Sequence, residues 1–266
     1  MKLLVDRMFV RDVSFSFGQN SLPILEHFSL EMQKPGIISL LGLNGSGKTT
    51  FLLLLLGYLK PASGAINLEA EGKPLDLAKA NGQIGYLPQR ENIPFDSHVV
   101  DYVMLGRNYQ VGLFGAPNSE DKHKCLQVMR YLRLESLADR RLSSISGGEL
   151  QRVRIARLLA QDPQIILMDE PSSHLDIKSR QEMLDLIGEF KRMGKLVIFS
   201  THDPLDALQS SDLAILMKKG EKTIAGPSQD VITSQRLTDL FDTRLKINKL
   251  DGRQIITVEN GQCQGD

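Results

Sequence analysis

Hydrophobic residues recur at every second position in the amino-terminal part of the chain. This alternation covers residues 8–17 and 24–32 and is typical of strands with one buried face. Two more strands are predicted at 63–68 and 84–87, with a polar, glycine-containing stretch between them. The first two strands are expected to belong to an antiparallel sheet.

The pattern changes to helical spacing near residue 90. Helices are predicted over 99–105 and 121–134. In the second helix, Leu126, Met129 and Leu132 lie three positions apart and therefore on one face. We predict a mostly helical insertion over residues 90–160.

Buried strands alternate with helices in the rest of the chain. Short apolar runs lie at 165–168, 196–200 and 213–217. A helix is predicted over 176–193, and Asp203 followed by Pro204 marks the start of another. Strands that alternate with helices predict a parallel sheet covered on both faces. Near the end, Asp251-Gly252 between two apolar runs predicts a β-hairpin.

Residues 42–49, Gly-Leu-Asn-Gly-Ser-Gly-Lys-Thr, fit the nucleotide-phosphate loop pattern G-x-x-x-x-G-K-[ST]. The glycines let the backbone curl so that successive N–H groups, at the start of a helix, can bind phosphates. Lys48 supplies a mobile positive charge for the outer phosphates, and the Thr49 hydroxyl is placed to hold Mg²⁺. The residues predicted to bind nucleotide here are Gly42, Asn44, Gly45, Ser46, Gly47, Lys48, Thr49 and Thr50.

The loop lies between an apolar strand at 37–41 and an apolar helix at 50–59, which is the context that the pattern requires. The sequence therefore predicts an α/β fold: a P-loop NTPase core with a parallel sheet, an N-terminal antiparallel β subdomain and an inserted helical subdomain. We expect one domain over 1–266, in which 1–89 and 161–266 form the catalytic core with the β subdomain.

Two carboxylates follow the apolar strand at 165–168. The rigid, partly dry end of a buried strand suits Asp169 for reaching Mg²⁺ through water and Glu170 for polarising the water that attacks a γ-phosphate. His202 follows another apolar strand and is predicted to donate to the γ-phosphate; a packing or capping histidine is the alternative. Gln89 is predicted to reach Mg²⁺ or the water when ATP is bound, with an ordinary polar loop residue as the alternative.

Ser146, Gly147, Gly148 and Glu149 open a helix that is predicted to run to Leu159. Ser146 is a natural N-cap, and the glycines leave backbone N–H groups exposed, so this is a second anion-binding helix start. The chain then has one phosphate loop but two phosphate cradles. A head-to-tail pair of identical chains would resolve this, because each cradle would face the ATP of the other chain. A capped helix without a ligand is the alternative.

Charge and cysteine content narrow the function classes. The 266 residues include 32 basic and 32 acidic ones, which argues against a general nucleic-acid binder because such proteins have a basic excess. Cys125 and Cys263 lie outside any metal-type spacing, so reduced thiols of a cytosolic protein are expected. No signal peptide is visible in residues 1–13, and the apolar stretch at 35–59 is interpreted as strand, loop and helix rather than a membrane span.

These features, taken in chain order, resemble the nucleotide-binding subunit of ABC transporters. The resemblance rests on the phosphate loop, Gln89, Ser146–Glu149, Asp169-Glu170 and His202, and it covers nearly the whole chain. It implies ATP and Mg²⁺ as cofactors, ATP hydrolysis coupled to transport, and a homodimer as the working unit.

The resemblance also implies roles for two further residues. Phe17 matches the aromatic residue that stacks on adenine, where the family more often has tyrosine. Asp176 ends the stretch Ser-His-Leu-Asp, which matches the loop that communicates between the two ATP sites; His174 is less usual there. Ile145 stands where leucine commonly precedes the signature. None of these departures removes a catalytic group.

A finer resemblance concerns the helical segment. Residues 101–107, 114–117 and 120–121 resemble the ATPases of type II importers for iron–siderophore complexes, haem and vitamin B12. In that family they belong to the surface that docks on the membrane subunit; family-neutral helix and loop residues are the alternative. Related importers carry oxyanions such as molybdate, so the cargo stays open.

The importer resemblance implies a set of partners and a location. The partners are a second copy of the chain, two integral membrane permease subunits and, indirectly, a periplasmic or extracellular substrate-binding protein, with no nucleic acid. The chain would lie at the cytoplasmic face of the inner membrane, peripheral through the permease. The main alternative is a soluble ABC ATPase acting on ribosomes or nucleic acid, although such proteins generally have two cassettes or a long coiled-coil insertion.

Overall fold

The computed structural model describes residues 4–18, 22–77, 80, 82–91, 93, 96–108, 117–173 and 175–259. The strands are β1 (Val5–Phe15), β2 (Leu25–Gln33), β3 (Gly36–Leu41), β4 (Ser63–Ala70), β5 (Lys73–Asp76), β6 (Ile84–Leu87), β7 (Ile165–Met168), β8 (Leu196–Thr201), β9 (Leu213–Leu216), β10 (Ile224–Pro227), β11 (Leu245–Leu250) and β12 (Arg253–Val258). The α-helices are α1 (Lys48–Leu55), α2 (Val99–Met104), α3 (Ser119–Tyr131), α4 (Gly147–Ala160), α5 (Ile177–Arg192), α6 (Pro204–Ser210), α7 (Ser228–Val231) and α8 (Ser234–Phe241). The predicted α/β fold is confirmed.

The antiparallel sheet has the strand order β2-β1-β4-β5. Alternation along β1 buries Val5, Met8, Val10 and Val13, and the register shifts on either side of Val13. The sequence pattern does not predict β5 because its four residues, Lys-Pro-Leu-Asp, contain a single large apolar side chain. It pairs with β4 at the edge of the sheet, where polar residues stay in water.

The six-stranded sheet has the order β10-β9-β3-β8-β7-β6; β10 runs antiparallel at one edge and the other five strands are parallel. Every residue of β3, β7 and β8 is buried. Alternate side chains serve opposite faces: Ile198 belongs to the core that contains α1, whereas Val197 and Phe199 belong to the core that contains the helical segment. Burial on both faces explains why these strands are uninterrupted apolar runs.

The carboxyl ends of the parallel strands meet at one edge of this sheet, which is where open α/β sheets bind ligands. There β3 leads into the phosphate loop, β6 into Gln89, β7 into Asp169 and Glu170, and β8 into His202. The fold therefore brings together predicted site residues that are far apart in the sequence.

Helices α2, α3 and α4 lie between β6 and β7 in the chain. The predicted apolar face of α3 is partly wrong, because Leu126 is 38 % exposed whereas Asp121, Cys125 and Met129 are buried. The buried residues are four positions apart and form one line, and Leu126 is rotated about 100° from Cys125. The buried Asp121 carboxylate is matched by Arg107, whose Nε lies 2.9 Å from it.

The carboxyl-terminal elements pack beside the parallel sheet. Strand β10 and helices α7 and α8 are not predicted from the sequence, since they are short and α8 buries only Leu237 and Leu240. The hairpin β11–β12 is present as predicted around Asp251-Gly252. Residues of α6, α8 and the hairpin form a third hydrophobic cluster.

The long apolar stretch at 35–59 forms β3, the phosphate loop and α1, as interpreted from the sequence. Within the described part of the chain, no helix combines the length and the apolar character that crossing a membrane requires. Cys125 is a buried free thiol, and Cys263 lies outside the described residues.

Candidate functional site

The loop between β3 and α1 approaches its neighbours so closely that glycine is needed at two points. A Cβ atom on Gly42 would lie 2.2 Å from the carbonyl oxygen of Met217, and one on Gly47 would lie 2.3 Å from the Ile24 side chain. Gly47 also has a φ of 103°, in the left-handed region. The Ser46 hydroxyl is buried and has no hydrogen-bond partner among the described residues. The loop therefore has a preset shape and an unused polar group, as a ligand-binding loop should.

Lys48 is buried at the start of α1, with 5 % of its surface exposed. Its ammonium group donates to the carbonyls of Gly42 and Leu43, at 2.8 and 3.1 Å, and lies 3.5 Å from Glu170 Oε1. Burial lowers the pKa of Lys48, and the Glu170 and Asp169 carboxylates oppose that shift. A buried ammonium inside a curled loop is a strong partner for an anion.

Asp169 follows β7 and is hydrogen-bonded to residues of α1 and β8. Thr49 Oγ1 donates to Asp169 Oδ2 at 2.7 Å, and Ser200 Oγ donates to Oδ1 at 2.6 Å. The same Ser200 hydroxyl accepts from the Glu170 amide at 2.8 Å. Burial, with the Asp169 charge as a smaller cause, raises the pKa of Tyr86 to about 12, so this phenol stays neutral at physiological pH. Thr49 and Asp169, both predicted to hold Mg²⁺, are thus adjacent.

Glu170 lies at the centre of the residues predicted to be catalytic. Its side chain is 9 % exposed, with Lys48 Nζ at 3.5 Å from Oε1. Gln89 Nε2 donates to Oε2 at 3.0 Å, and His202 Nδ1 lies 3.4 Å from the same oxygen. The Glu170 backbone has a φ of 45°, which is uncommon for a residue other than glycine. A nearly buried carboxylate beside two hydrogen-bonding side chains can accept a proton from a bound water.

A cavity of about 650 Å³ opens beside this cluster. Its lining includes Asn44 to Thr50, Gln89, Glu170, Phe17, Leu22 to Ile24 and Lys219. Phe17 is 69 % exposed, and its ring centre lies 5.3 Å from that of Phe15, edge to face. An exposed aromatic ring near a phosphate loop suits the planar base of a nucleotide.

Two residues of the site have no signal in the sequence. Ser200 looks like an ordinary polar residue within a buried strand, and only the pairing of β7 with β8 brings it to Asp169. Lys219 belongs to a Lys-Lys-Gly turn after β9 and reaches the cavity because β9 lies next to β3. Strand order, which the local pattern does not specify, decides both contacts.

The turn at Ser146–Glu149 is separate from this cavity and does not line it. Ser146 Oγ accepts from the Glu149 amide at 3.3 Å, and the Glu149 carboxylate accepts from the Ser146 amide at 2.8 Å, so the two form a capping box. Those hydrogen bonds hold the pKa of Glu149 below its usual value. Gly147 and Gly148 are exposed, and a Cβ on either would meet no atom within 4 Å. The helix start is therefore stabilised by Ser146 and Glu149 and is open to solvent at Gly147 and Gly148.

Asp176 caps α5, where its Oδ1 accepts from the Ser179 amide at 2.8 Å. Its predicted part in nucleotide binding stays a prediction. The neighbouring Ile177 is 90 % exposed. His174 and residues 114–116 of the importer-like segment lie outside the described residues.

Comparison with known proteins places this geometry in a family. Residues 25–173 match the family model described as ABC transporter. A Helicobacter pylori protein named "Probable iron chelatin transport ATP-binding protein" is 34 % identical over 253 residues, which is 93 % of this chain and 97 % of the relative. The molybdate import ATP-binding protein of Haemophilus influenzae is 33 % identical, over 82 % of this chain and 81 % of the relative.

The solved structures agree with the sequence comparison. The chain superposes on the structure of an inward-facing metal-chelate type ABC transporter with a TM-score of 0.84 and 29 % identity, covering 94 % of this chain and 96 % of the other. The family match spans more than half of the chain and contains the phosphate loop, Gln89, the Ser146–Glu149 turn and Glu170. The chain therefore belongs to the ABC transporter family of ATP-binding proteins and is an ATPase of that family.

Proposed function

We propose that this chain powers a membrane importer by hydrolysing ATP as a pair of identical chains. One observation carries the proposal. The phosphate loop and the Glu170 cluster form one nearly complete site, while the Ser146–Glu149 turn is an intact, open anion cradle outside it. We infer that a single chain holds two halves of different sites.

The residues at the phosphate loop fit a nucleotide with Mg²⁺. Ser46 has a buried hydroxyl without a partner among the described residues, and Lys48 is a buried cation at the start of α1, where the N–H groups of a helix favour anions. Thr49, Asp169 and Gln89 would hold Mg²⁺, which supplies positive charge for the phosphates.

Hydrolysis would follow from the cluster around Glu170. Its carboxylate accepts a proton from the attacking water, and Gln89 and His202 align that water. Lys48 stabilises the negative charge that develops on the γ-phosphate oxygens. Backbone amides of the phosphate loop would hold the other phosphates in place, and Phe17 would support the adenine ring.

A second copy of the chain would complete each site. Ser146, Gly147 and Gly148 of that copy would face the γ-phosphate with backbone amides and a hydroxyl, while Glu149 keeps the turn rigid through its capping box. Asp176 and the exposed Ile177 lie at the turn expected to meet the other chain. ATP would join the two chains, and loss of the γ-phosphate would let them separate.

The cargo that we propose is a metal chelate, such as an iron–siderophore complex or haem, or vitamin B12. Support comes from the importer-like residues 101–107 and 120–121 and from the names of the Helicobacter pylori relative and of the metal-chelate type transporter. Molybdate is a related alternative, given the Haemophilus influenzae relative. The chain would then sit at the cytoplasmic face of the inner membrane, bound to two permease subunits that receive cargo from a substrate-binding protein.

The test of the paired mechanism uses the Glu170→Gln variant, which keeps the shape but loses the base. We expect turnover to fall by about 10²- to 10⁴-fold while ATP binding is retained. Analytical ultracentrifugation with ATP and Mg²⁺ should then show a mass twice that of the chain. A variant that stays monomeric with saturating ATP, also together with its permease, would contradict the pairing, and near-normal turnover would contradict the role of Glu170.

The cargo is tested in proteoliposomes that contain the chain and the permease that co-purifies with it. A binding protein loaded with ferric siderophore should stimulate ATP hydrolysis. Haem, vitamin B12 and molybdate are offered in parallel with their own binding proteins. Stimulation by molybdate alone would overturn the metal-chelate assignment.

A further inference from the structure

Outside the nucleotide cavity, a group of polar contacts centres on Glu91, whose side chain is 17 % exposed. Arg157 Nη1 lies 2.7 Å from Glu91 Oε1, and Arg154 Nε lies 3.3 Å from Oε2. Tyr102 Oη donates to the same Oε2 at 2.8 Å. These four residues are called the Glu91 cluster below. One carboxylate therefore joins two guanidinium groups and a phenol.

The Glu91 cluster connects three parts of the chain. Glu91 lies in the segment between β6 and α2, Tyr102 lies on α2, and both arginines lie on α4, the helix that begins after Ser146. The guanidinium of Arg157 also lies over the Tyr102 ring, 5.0 Å from its centre. Burial, the main cause, and the Glu91 contact raise the pKa of Tyr102, so its hydroxyl remains a donor. Removal of Glu91 would leave two cations side by side without their common partner.

Arg154 extends the cluster to the hydrolytic site. Its Nη2 donates to the carbonyl of Pro88, the residue before Gln89, while its Nε contacts Glu91, two residues after Gln89. Arg154 therefore holds the chain on both sides of Gln89. The Gln89 side chain in turn donates to Glu170 at 3.0 Å.

Helix α4 also holds the other side of the site. Gln151 Nε2 donates to the carbonyl of Pro171, the residue after Glu170, at 3.3 Å. Gln151 Oε1 accepts from Arg154 Nη1 at 2.8 Å. The backbones that carry Gln89 and Glu170 are thus both hydrogen-bonded to neighbouring side chains of one helix.

We propose that Glu91 and Arg154 are positioning residues, which fix Gln89 against Glu170. This inference rests on the proposed function, in which Gln89 aligns the attacking water. Neither residue lines the nucleotide cavity, and Arg154 contacts the chain on both sides of Gln89, so we expect their effect to pass mainly through Gln89. A displacement of a catalytic group by about 1 Å can lower a rate by about 10²-fold, so small movements suffice.

The test is a double-mutant cycle in the full-length chain, with ATP turnover measured at saturating Mg²⁺. Glu91→Gln should lower kcat by about 10-fold or more and change the KM for ATP by less than about 3-fold, because Glu91 lies outside the nucleotide cavity and the phosphate loop, Thr49 and Asp169 are unchanged. In a Gln89→Ala background, Glu91→Gln should have no further effect on kcat. An equal loss in both backgrounds would overturn the inference, and so would a normal kcat in the single variant.

A milder variant keeps the test decisive if Glu91→Gln folds poorly. Arg154→Lys retains the charge beside Glu91 but lacks the guanidinium fork that reaches Pro88 and Glu91 together. We expect kcat per folded molecule to fall, again only when Gln89 is present. Arg154→Lys with normal kcat would contradict the positioning role.

The matched control is another buried ion pair of the helical segment, Arg107–Asp121, which links α3 to the end of α4 rather than to residues 88–91. Asp121→Asn should lower the melting temperature and leave kcat per folded molecule unchanged. An equal kcat loss there would mean that general loosening explains the result and would overturn the inference. The proposed function is judged separately, by the turnover and the ATP-dependent dimerisation of the Glu170→Gln variant, in which Glu91 and Arg154 are unchanged.

Discussion

The phosphate loop and the Ser146–Glu149 turn are both helix starts that present backbone amides, but they differ in what surrounds them. The loop is enclosed: neighbouring backbone fixes Gly42, a buried Lys48 lies across it, and a cavity opens beside it. The turn is open, with free space around Gly147 and Gly148 and its own glutamate bonded to its amide. In the proposed mechanism, the first region binds phosphate within one chain, whereas the second meets a phosphate that another chain brings.

The difference teaches that similar local structure can serve two separate tasks. The phosphate loop contains a buried charge and is closely packed against its neighbours. Substitutions there should therefore affect ATP binding and catalysis within one chain. At the turn, the protein keeps only a stable helix start, so changes there should affect what happens between chains. Four predictions test this division, from the largest expected effect to the smallest.

Lys48→Ala should have the largest effect, because it removes a buried charge from the enclosed region. We expect kcat/KM for ATP to fall by about 10²-fold, which corresponds to about 3 kcal/mol of transition-state stabilisation. Lys219, an exposed lysine that lines the same cavity, provides the control. Lys219→Ala should change kcat/KM by less than about 3-fold, since water screens exposed charges. Equal losses would show that enclosure does not distinguish the two.

Gly148→Asp should prevent the Ser146–Glu149 turn from meeting a phosphate without destabilising the fold. Space is available for the side chain, and an acidic residue favours the first turn of a helix, so the melting temperature should not fall. The new carboxylate would repel a phosphate brought by another chain, lowering turnover by at least about 10-fold. In the Glu170→Gln background, ATP should still bind but the dimer should disappear. Gly148→Ala, which adds no charge, should retain dimerisation; loss of ATP binding in Gly148→Asp would contradict the division.

Ser146→Ala removes the cap of α4 and should cost about 1 kcal/mol of stability. Helix α3 has an equivalent capping box at Asn118, where the Asp121 amide donates to the Asn118 side chain at 3.0 Å. Asn118→Ala should therefore cost a similar stability, measured by urea unfolding. Only Ser146→Ala should also reduce turnover, because only that cap is expected to meet a phosphate. Equal turnover losses would mean that the cap serves folding alone.

ATP binding should weaken at a lower pH than it would if Lys48 had the pKa of an ordinary lysine. Burial holds the pKa of Lys48 below its usual value of 10.5, so in the window between the two values the unfolded chain binds more protons. Raising the pH through that window therefore favours the folded state but removes the charge that binds phosphate. The Kd for ATP of Glu170→Gln should rise below pH 10.5, and the same variant with Lys48→Arg should lack this rise.

The phosphate loop and the Ser146–Glu149 turn can be predicted from the sequence because each is formed by consecutive residues. The glycine spacing of 42–49 and the serine, glycine and glutamate of 146–149 have local causes, namely backbone conformation and capping. The parallel strands are predicted for a similar reason, since burial on both faces makes their runs apolar. What was missed depends on distant partners: Ser200 and Lys219 reach the site through strand order, and Arg154 reaches Glu91 through the packing of α4.

The error in α3 has the same origin. Leu126 fits a three-residue spacing, but the buried line of the helix is occupied by Asp121, which is tolerated because Arg107 comes from another element. A charged residue in that line could not be predicted from the helix alone. The local sequence pattern predicts that a helix is present. Contacts with other elements, such as that between Asp121 and Arg107, determine which face of the helix is buried.

The backbone of Glu170 has a consequence for how this protein can change. A left-handed φ costs a side-chain-bearing residue about 1 kcal/mol, and glycine does not bear that cost. Mutation to glycine at this position relieves backbone strain while it removes the carboxylate. Drift toward an inactive but well-folded chain is therefore easy here, and glutamate persists in the lineage only for as long as turnover of ATP benefits the cell.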